Sequence, residues 1–179
     1  MSKQGTYSVR ISGLGEGDHD FSFELDKKFF DSFEQTELTD GEVRADIVLV
    51  KKHGVMELHF MVTGKVEVVC DRCLEPFWTA ITSSHIIYVK IGNQPEEVNE
   101  DVVVIGKDDH EIEVSQFLYE FIVLALPVKR IHSKDQDGKS MCDPGMLEKL
   151  EAHRIKKADQ EANTDPRWDA LKGIIEKNN

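Results

Sequence analysis

The chain has 179 residues, of which 40% are hydrophobic, so it can bury a substantial core without disulfide bonds. Its formal net charge is -12, which disfavours a nucleic-acid affinity that rests on overall charge. No apolar run approaches the roughly 18 residues of a transmembrane helix, and no charged-then-apolar leader precedes Tyr7. These features, with an odd number of cysteines, predict a cytoplasmic protein with reduced thiols and no membrane contact.

The charge is unevenly distributed. Residues 127–179 contain 11 Lys+Arg and 10 Asp+Glu, a net of +1, so residues 1–126 carry 11 against 24, a net of -13. We therefore expect anions to bind within residues 127–179 or at Arg72. The acidic residues 1–126 would suit a basic protein partner.

Alternation of apolar and polar residues predicts a series of β-strands in the first half of the chain. These strands cover residues 6–12, 20–25, 42–52, 55–63, 65–69 and 77–91. Glycines predict turns at Asp40-Gly41, His53-Gly54 and Gly64. Strands joined by such short turns indicate an antiparallel meander.

Helix signals are fewer. Asp26 is a predicted cap for a short helix that has Phe29, Phe30 and Phe33 on its core face. Ser115 is a predicted cap for an apolar helix that ends before Pro127. The acidic stretch 93–101 is expected to be a solvated loop, followed by strands at 102–105 and 111–113 with a turn at Asp108-Asp109 between them. Asp143-Pro144 and Asp165-Pro166 predict two more helices, at about 144–161 and 166–177.

The pattern predicts an α+β fold, in which an antiparallel meandering β-sheet or partly closed barrel is covered by one apolar helix and followed by C-terminal helices. Residues 1–127 would form the sheet body with its covering helix. Residues 128–179 would form a basic Cys/His loop and the C-terminal helices, as an appendage of the same domain.

Cys70 and Cys73 form a Cys-x-x-Cys pair between two predicted strands, which is the spacing of half a tetrahedral zinc site. Two alternatives stay open. A redox pair would place the second cysteine in a helix, but Pro76 and Trp78 favour a strand. The pair could also be two inert, partly buried thiols.

His132 and Cys142 are the candidates for the other half of a Cys₃His site, which would tie the later loop to the sheet. Nine residues separate them, more than is usual within a ligand pair, and a solvent-facing loop histidine is the alternative for His132. A closed site with four protein ligands has no open position, so it favours a structural role over catalysis.

Five basic residues form the predicted RNA-binding set, with a solvated loop as the alternative: Arg72, Lys129, Arg130, Lys134 and Lys139. No nucleophile has a recognisable base at catalytic spacing, so we expect neither enzymatic activity nor a small-molecule substrate.

Three segments together resemble the YceD family of large ribosomal RNA subunit accumulation proteins: Val68 to Phe77, Glu120 to Pro127, and Asp165 to Leu171. The resemblance spans roughly residues 45–175. Many family members carry a second Cys-x-x-Cys pair after the Leu-Pro, whereas this chain has His132 and Cys142 there.

The resemblance implies a non-enzymatic ribosome-assembly factor that supports accumulation of large-subunit (23S) ribosomal RNA. Its partners would be precursor ribosomal RNA or an assembly intermediate, with a basic ribosomal protein as a further partner. The alternative is an acidic protein-interaction adaptor that does not contact RNA.

Overall fold

The computed structural model describes residues 7–34, 36–92, 96–99 and 101–154, with only the backbone for 96–99. The chain divides into two compact units, Met1–His132 and Ser133–Asn179. The described strands are β1 Ser8–Arg10, β2 Gly17–Leu25, β3 Asp40–Lys52, β4 Val55–Val69, β5 Pro76–Gly92, β6 Glu96–Asn99, β7 Val102–Gly106 and β8 Glu111–Glu113. The described helices are α1 Lys27–Phe30, α2 Ser115–Leu124 and α3 Pro144–Ala152.

A six-stranded sheet in the order β2-β3-β4-β5-β7-β6 forms the body of the first unit, and β1 pairs with β8 beside it. Strands β2 to β5 form the predicted antiparallel meander. The α+β class is confirmed. The sheet is not a closed barrel, because β2 and β6 are its two edges.

The purely antiparallel prediction is wrong at β7, which runs parallel to β5 in the register Tyr88↔Val102. The predicted loop at 93–101 is also wrong at 96–99, because Glu96–Asn99 forms β6 and pairs with the far side of β7, while residues 93–95 and 100 lie outside the described ranges. Charged residues are common on edge strands, so the acidic composition that predicted a loop is equally compatible with an edge.

Two predicted turns are absent. Asp40 and Gly41 lie within β3, and Gly64 lies within β4. A Cβ at Gly41 would collide with the ring of Phe30, and one at Gly64 would collide with the carbonyl oxygen of Glu42. These glycines therefore permit close packing, whereas Gly54, with φ of 83°, makes the predicted β3–β4 turn.

The core lies on one face of the sheet. Phe29 and Phe30 of α1 are fully buried, and the Phe121 ring of α2 lies 5.1 Å from that of Phe60. Asp26 caps α1 as predicted, accepting from the Lys28 N–H at 3.0 Å. The Ser115 cap is wrong: Val114 precedes the first turn of α2, and the Ser115 hydroxyl donates to Glu113 instead.

The second unit contains a loop and α3. Asp143 caps α3 as predicted, since its carboxylate accepts from the Met146 N–H at 2.7 Å. The helix ends at Ala152, short of the predicted 161. The helix predicted at 166–177 and its Asp165 cap lie outside the described residues. Among the helices of the described ranges, none is long and apolar enough to cross a membrane.

Candidate metal centre

The Cys-x-x-Cys pair lies in the turn between β4 and β5. The Cys70 N–H donates to the carbonyl of Glu75, and the Leu74 N–H donates to the carbonyl of Cys70, both at 3.0 Å. Leu74 has φ of 61°, a left-handed conformation that closes the turn. Cys73 therefore lies in a turn between strands, and not in the helix that a redox pair would use.

A second segment of the first unit lies against this turn. The Asp71 N–H donates to the carbonyl of Arg130, and the Arg130 N–H donates back to the Asp71 carboxylate, both at 2.7 Å. Two residues further on, the His132 ring packs on Phe77, with 4.7 Å between the ring centroids. The segment thus carries His132 to the cysteines.

His132 Nδ1 lies 3.4 Å from the sulfur of Cys73. A zinc ion about 2.3 Å from sulfur and about 2.05 Å from nitrogen, with a tetrahedral angle, would hold those atoms about 3.6 Å apart. The ligand atoms of Cys70, Cys73 and His132 all lie within 4.8 Å of one another. Both cysteines are buried and His132 is partly buried. The spacing therefore fits an ion with two sulfur ligands and one imidazole nitrogen.

The environment of Cys70 also favours a metal ligand, because the thiolate is the form that coordinates zinc. Burial by itself raises the pKa of this thiol. Hydrogen bonds from the backbone N–H groups of Cys73, Arg72 and His132, and from the His132 ring, outweigh burial and lower the pKa from 9.0 to about 6.

Cys142, the remaining predicted ligand, belongs to the second unit, where it is buried. Its N–H donates to the Ser140 hydroxyl at 3.3 Å, and it directly precedes the Asp143 cap of α3. The preceding loop folds back on itself: Lys134 bridges to Ser140, and the Met141 N–H donates to the carbonyl of Ser133 at 3.2 Å.

The five predicted RNA-binding residues differ in their surroundings. Arg72 and Lys129 are exposed in the first unit, and Lys134 and Lys139 are exposed in the second. Arg130 is partly buried, and its guanidinium lies 2.7 Å from Glu37 and 3.8 Å from Asp71. Its charge is therefore already paired within the first unit.

A family model described as "Large ribosomal RNA subunit accumulation protein YceD" matches residues 58–174, which is more than half of the chain. The chain belongs to the YceD family. The YceD match includes the turn between β4 and β5, His132 and Cys142, and it confirms the resemblance carried by the sequence motifs. No match was found among the curated proteins or among the solved structures.

Residues that the sequence analysis did not select also build this part of the YceD chain. Asp71 holds the segment that bears His132, Glu37 pairs with Arg130, and Phe77 supports the imidazole ring. Asp71 and Phe77 lie within the Val68 to Phe77 motif, which is the signal that could have identified them. Glu37 is 93 residues from Arg130, and no local pattern indicates their pairing.

Proposed function

We propose that the protein is a non-enzymatic ribosome-assembly factor that supports accumulation of large-subunit (23S) ribosomal RNA by binding precursor RNA in the cytoplasm. Membership of the YceD family supports the ribosomal role. The single observation that carries the binding mechanism is the turn between β4 and β5, which displays Arg72 between two buried cysteines.

In this proposal Cys70, Cys73, His132 and Cys142 together hold one zinc ion. Three ligands converge within the first unit and leave one tetrahedral position to fill. Cys142 is the remaining cysteine of the chain. It follows Met141, which is hydrogen-bonded to Ser133, the residue directly after His132. A bound ion would act as a structural cross-link, since four protein ligands leave no open position for a substrate.

The cross-link explains how exposed cations could be held for RNA. Arg72 donates its backbone N–H to the Cys70 sulfur, so a metal bound by that sulfur would also fix the start of the Arg72 side chain. Lys129 adjoins Arg130, whose backbone Asp71 holds. Lys134 and Lys139 extend the set on the loop of the second unit, which Asp135 orders by accepting from the backbone N–H groups of Asp137 and Lys139.

The test is titration of 23S ribosomal RNA fragments at several salt concentrations. Wild type should bind with an affinity that falls steeply with salt, because phosphate contacts release counterions. Arg72→Glu combined with Lys129→Glu should reduce the slope of log affinity against log salt by about 2, since each lost contact removes about 1. Lys28→Glu combined with Lys107→Glu is the matched control, with the same change in net charge at exposed sites elsewhere on the first unit. Absence of binding at low salt would contradict the proposal.

The acidic adaptor is the second candidate. It is favoured by the net charge of -13 on residues 1–126 and would bind a basic ribosomal protein in place of RNA. The same titration separates the two, because an adaptor would show no affinity for RNA fragments at low salt.

A further inference from the structure

The six-stranded sheet has a second face, opposite the core, which we call the outer face. Directly paired residues on neighbouring strands point to the same side, so the register defines this face as a set of rows. One row runs Asp20, Val48, His59, Ile86 and the next runs Asp18, Val50, Glu57, Tyr88, Val102. Each row begins with a carboxylate on β2 and continues to apolar residues on β3 and β5.

Large apolar side chains on the outer face are accessible. Met61 is 48% exposed, Ile86 39% and Tyr88 40%. Trp78 lies on the same face of β5 and is 42% exposed, with Lys65 Nζ 4.9 Å from its ring centroid. Met61, Ile86 and Tyr88 lie close together by register, whereas Trp78 lies near the other end of β5. Exposed apolar side chains grouped as the first three are occur typically at protein interaction surfaces.

The charges on the outer face are mostly negative. Among the described side chains, its eight carboxylates are Asp18, Asp20, Glu24, Asp40, Glu42, Asp46, Glu57 and Glu67, against the four cations Arg44, Lys52, Lys65 and Lys90, a net of -4.

Most of these cations are already paired. Arg44 lies 3.0 Å from Asp46, Lys65 lies 3.0 Å from Glu42, and Lys52 lies 3.3 Å from Glu57. Asp18 and Asp20, on edge strand β2, are exposed, and no ion pair joins either to another described residue. Asp18 and Asp20 therefore place negative charge that no described cation neutralises at the start of both rows.

We propose that the outer face docks a cationic protein segment in which Lys or Arg side chains accompany apolar ones. The apolar side chains would lie on Ile86, Tyr88 and Met61, and the cations would reach Asp18 and Asp20. Charge complementarity decides the occupant: phosphates of RNA would be repelled by these carboxylates, whereas ammonium and guanidinium groups would be attracted. The inference rests on the proposed function only in that the segment would belong to a basic component of the assembling ribosome.

The experiment titrates the full chain with a short labelled peptide in which Lys or Arg alternates with Leu or Val, read by fluorescence anisotropy. A peptide with Glu in place of each cation is the ligand control. Asp18→Lys combined with Asp20→Lys should weaken binding of the cationic peptide by at least about tenfold at low salt. Glu34→Lys combined with Asp108→Lys makes the same change in net charge at exposed positions off this face and should leave binding unchanged.

A second variant tests the apolar part of the surface. Ile86→Thr keeps a β-branched residue in the strand and removes part of the apolar contact. It should therefore weaken binding of the cationic peptide without altering the far-UV circular dichroism of the protein. The proposal would be overturned if all the variants bound the cationic peptide as tightly as wild type does. It would also be overturned if wild type bound the acidic peptide as tightly as the cationic one. Self-association of wild type in sedimentation, abolished by Ile86→Thr, would also overturn it and assign the face to a second copy of the chain.

Titrating the same proteins with the RNA fragments keeps the two proposals separate. Reversal of Asp18 and Asp20 should not weaken RNA binding, because these residues lie outside the proposed RNA-binding set. Peptide binding without RNA binding would support the docking surface and contradict the proposed function, and RNA binding without peptide binding would do the reverse.

Discussion

Asp71 and Arg130 exchange two hydrogen bonds of 2.7 Å, one from each backbone N–H. The pair joins the turn between β4 and β5 to a segment 59 residues later in the chain. It holds His132 beside Cys73 through contacts that involve neither of these two side chains. The protein itself therefore contributes to the arrangement of the candidate metal ligands.

Asp71→Ala should weaken metal binding and lower stability. Loss of the acceptor for the Arg130 N–H should cost about 1 kcal/mol in the free energy of unfolding. It should also weaken metal affinity by about tenfold, as loss of a residue that orients a ligand typically does. Urea denaturation and competition with a chromophoric chelator measure the two effects. Asp71→Asn, which keeps an acceptor oxygen, should retain more of both, and a metal affinity of wild-type strength in Asp71→Ala would contradict this role.

Lys129→Ala should mainly reduce RNA affinity, whereas Arg130→Ala should mainly reduce stability. Lys129 is exposed, so its loss should weaken RNA binding and leave the free energy of unfolding within about 0.5 kcal/mol of wild type. Arg130 pairs with Glu37, so its loss should lower stability more than it lowers RNA affinity. Thermal denaturation and RNA titration of both variants check the difference. If Arg130→Ala lost more RNA affinity than Lys129→Ala, the ion pair with Glu37 would not prevent Arg130 from contacting RNA.

Leu74→Gly should stabilise the protein. Leu74 has φ of 61° and its side chain is 66% exposed, so glycine would relieve a left-handed strain of about 1 kcal/mol and lose little packing. Urea denaturation of the metal-loaded protein measures the change. Leu74→Ala is the control, because it removes the same side chain and keeps the strain. Equal stability of the two variants would contradict this account of the turn.

Much of the first unit follows from local patterns. Alternation predicts the strands of the meander, and Asp26 and Asp143 are predictable caps because a carboxylate before a helix can accept an N–H of its first turn. The prediction of turns at Gly41 and Gly64 is wrong because glycine serves both turns and close packing, and only the neighbouring Phe30 ring and Glu42 carbonyl distinguish the two. The parallel pairing of β7 depends on where β6 lies, which its composition does not specify.

The candidate site also contains residues that a local sequence signal predicts and an arrangement that only the structure shows. Cys70 and Cys73 were found from their spacing, which is a local signal. The proximity of His132 to Cys73 depends on the bonds between Asp71 and Arg130, which no sequence period reveals. The outer-face rows likewise require the register, since the alternation of β5 alone does not show that Ile86 lies opposite His59.

Removal of metal with a strong chelator should lower the thermal midpoint of the wild-type protein by more than about 5 °C, since each kcal/mol shifts the midpoint by about 2–4 °C in a chain of this length. The physical reason is loss of the cross-link between the turn and the segment that bears His132. Cys73→Ser should be destabilised from the start and insensitive to the chelator. Scanning calorimetry measures both, and an unchanged midpoint in wild type would contradict a structural role for the ion.

The most direct test is elemental analysis of protein purified under reducing conditions without chelator, for wild type and for Cys142→Ser. With Cys70, Cys73, His132 and Cys142 as ligands, wild type should contain about one zinc ion per chain, and the variant should lose most of it on dialysis. Wild-type protein that contains no metal while its thiols are reduced, or a variant that retains zinc as firmly as wild type, would contradict the four-ligand site.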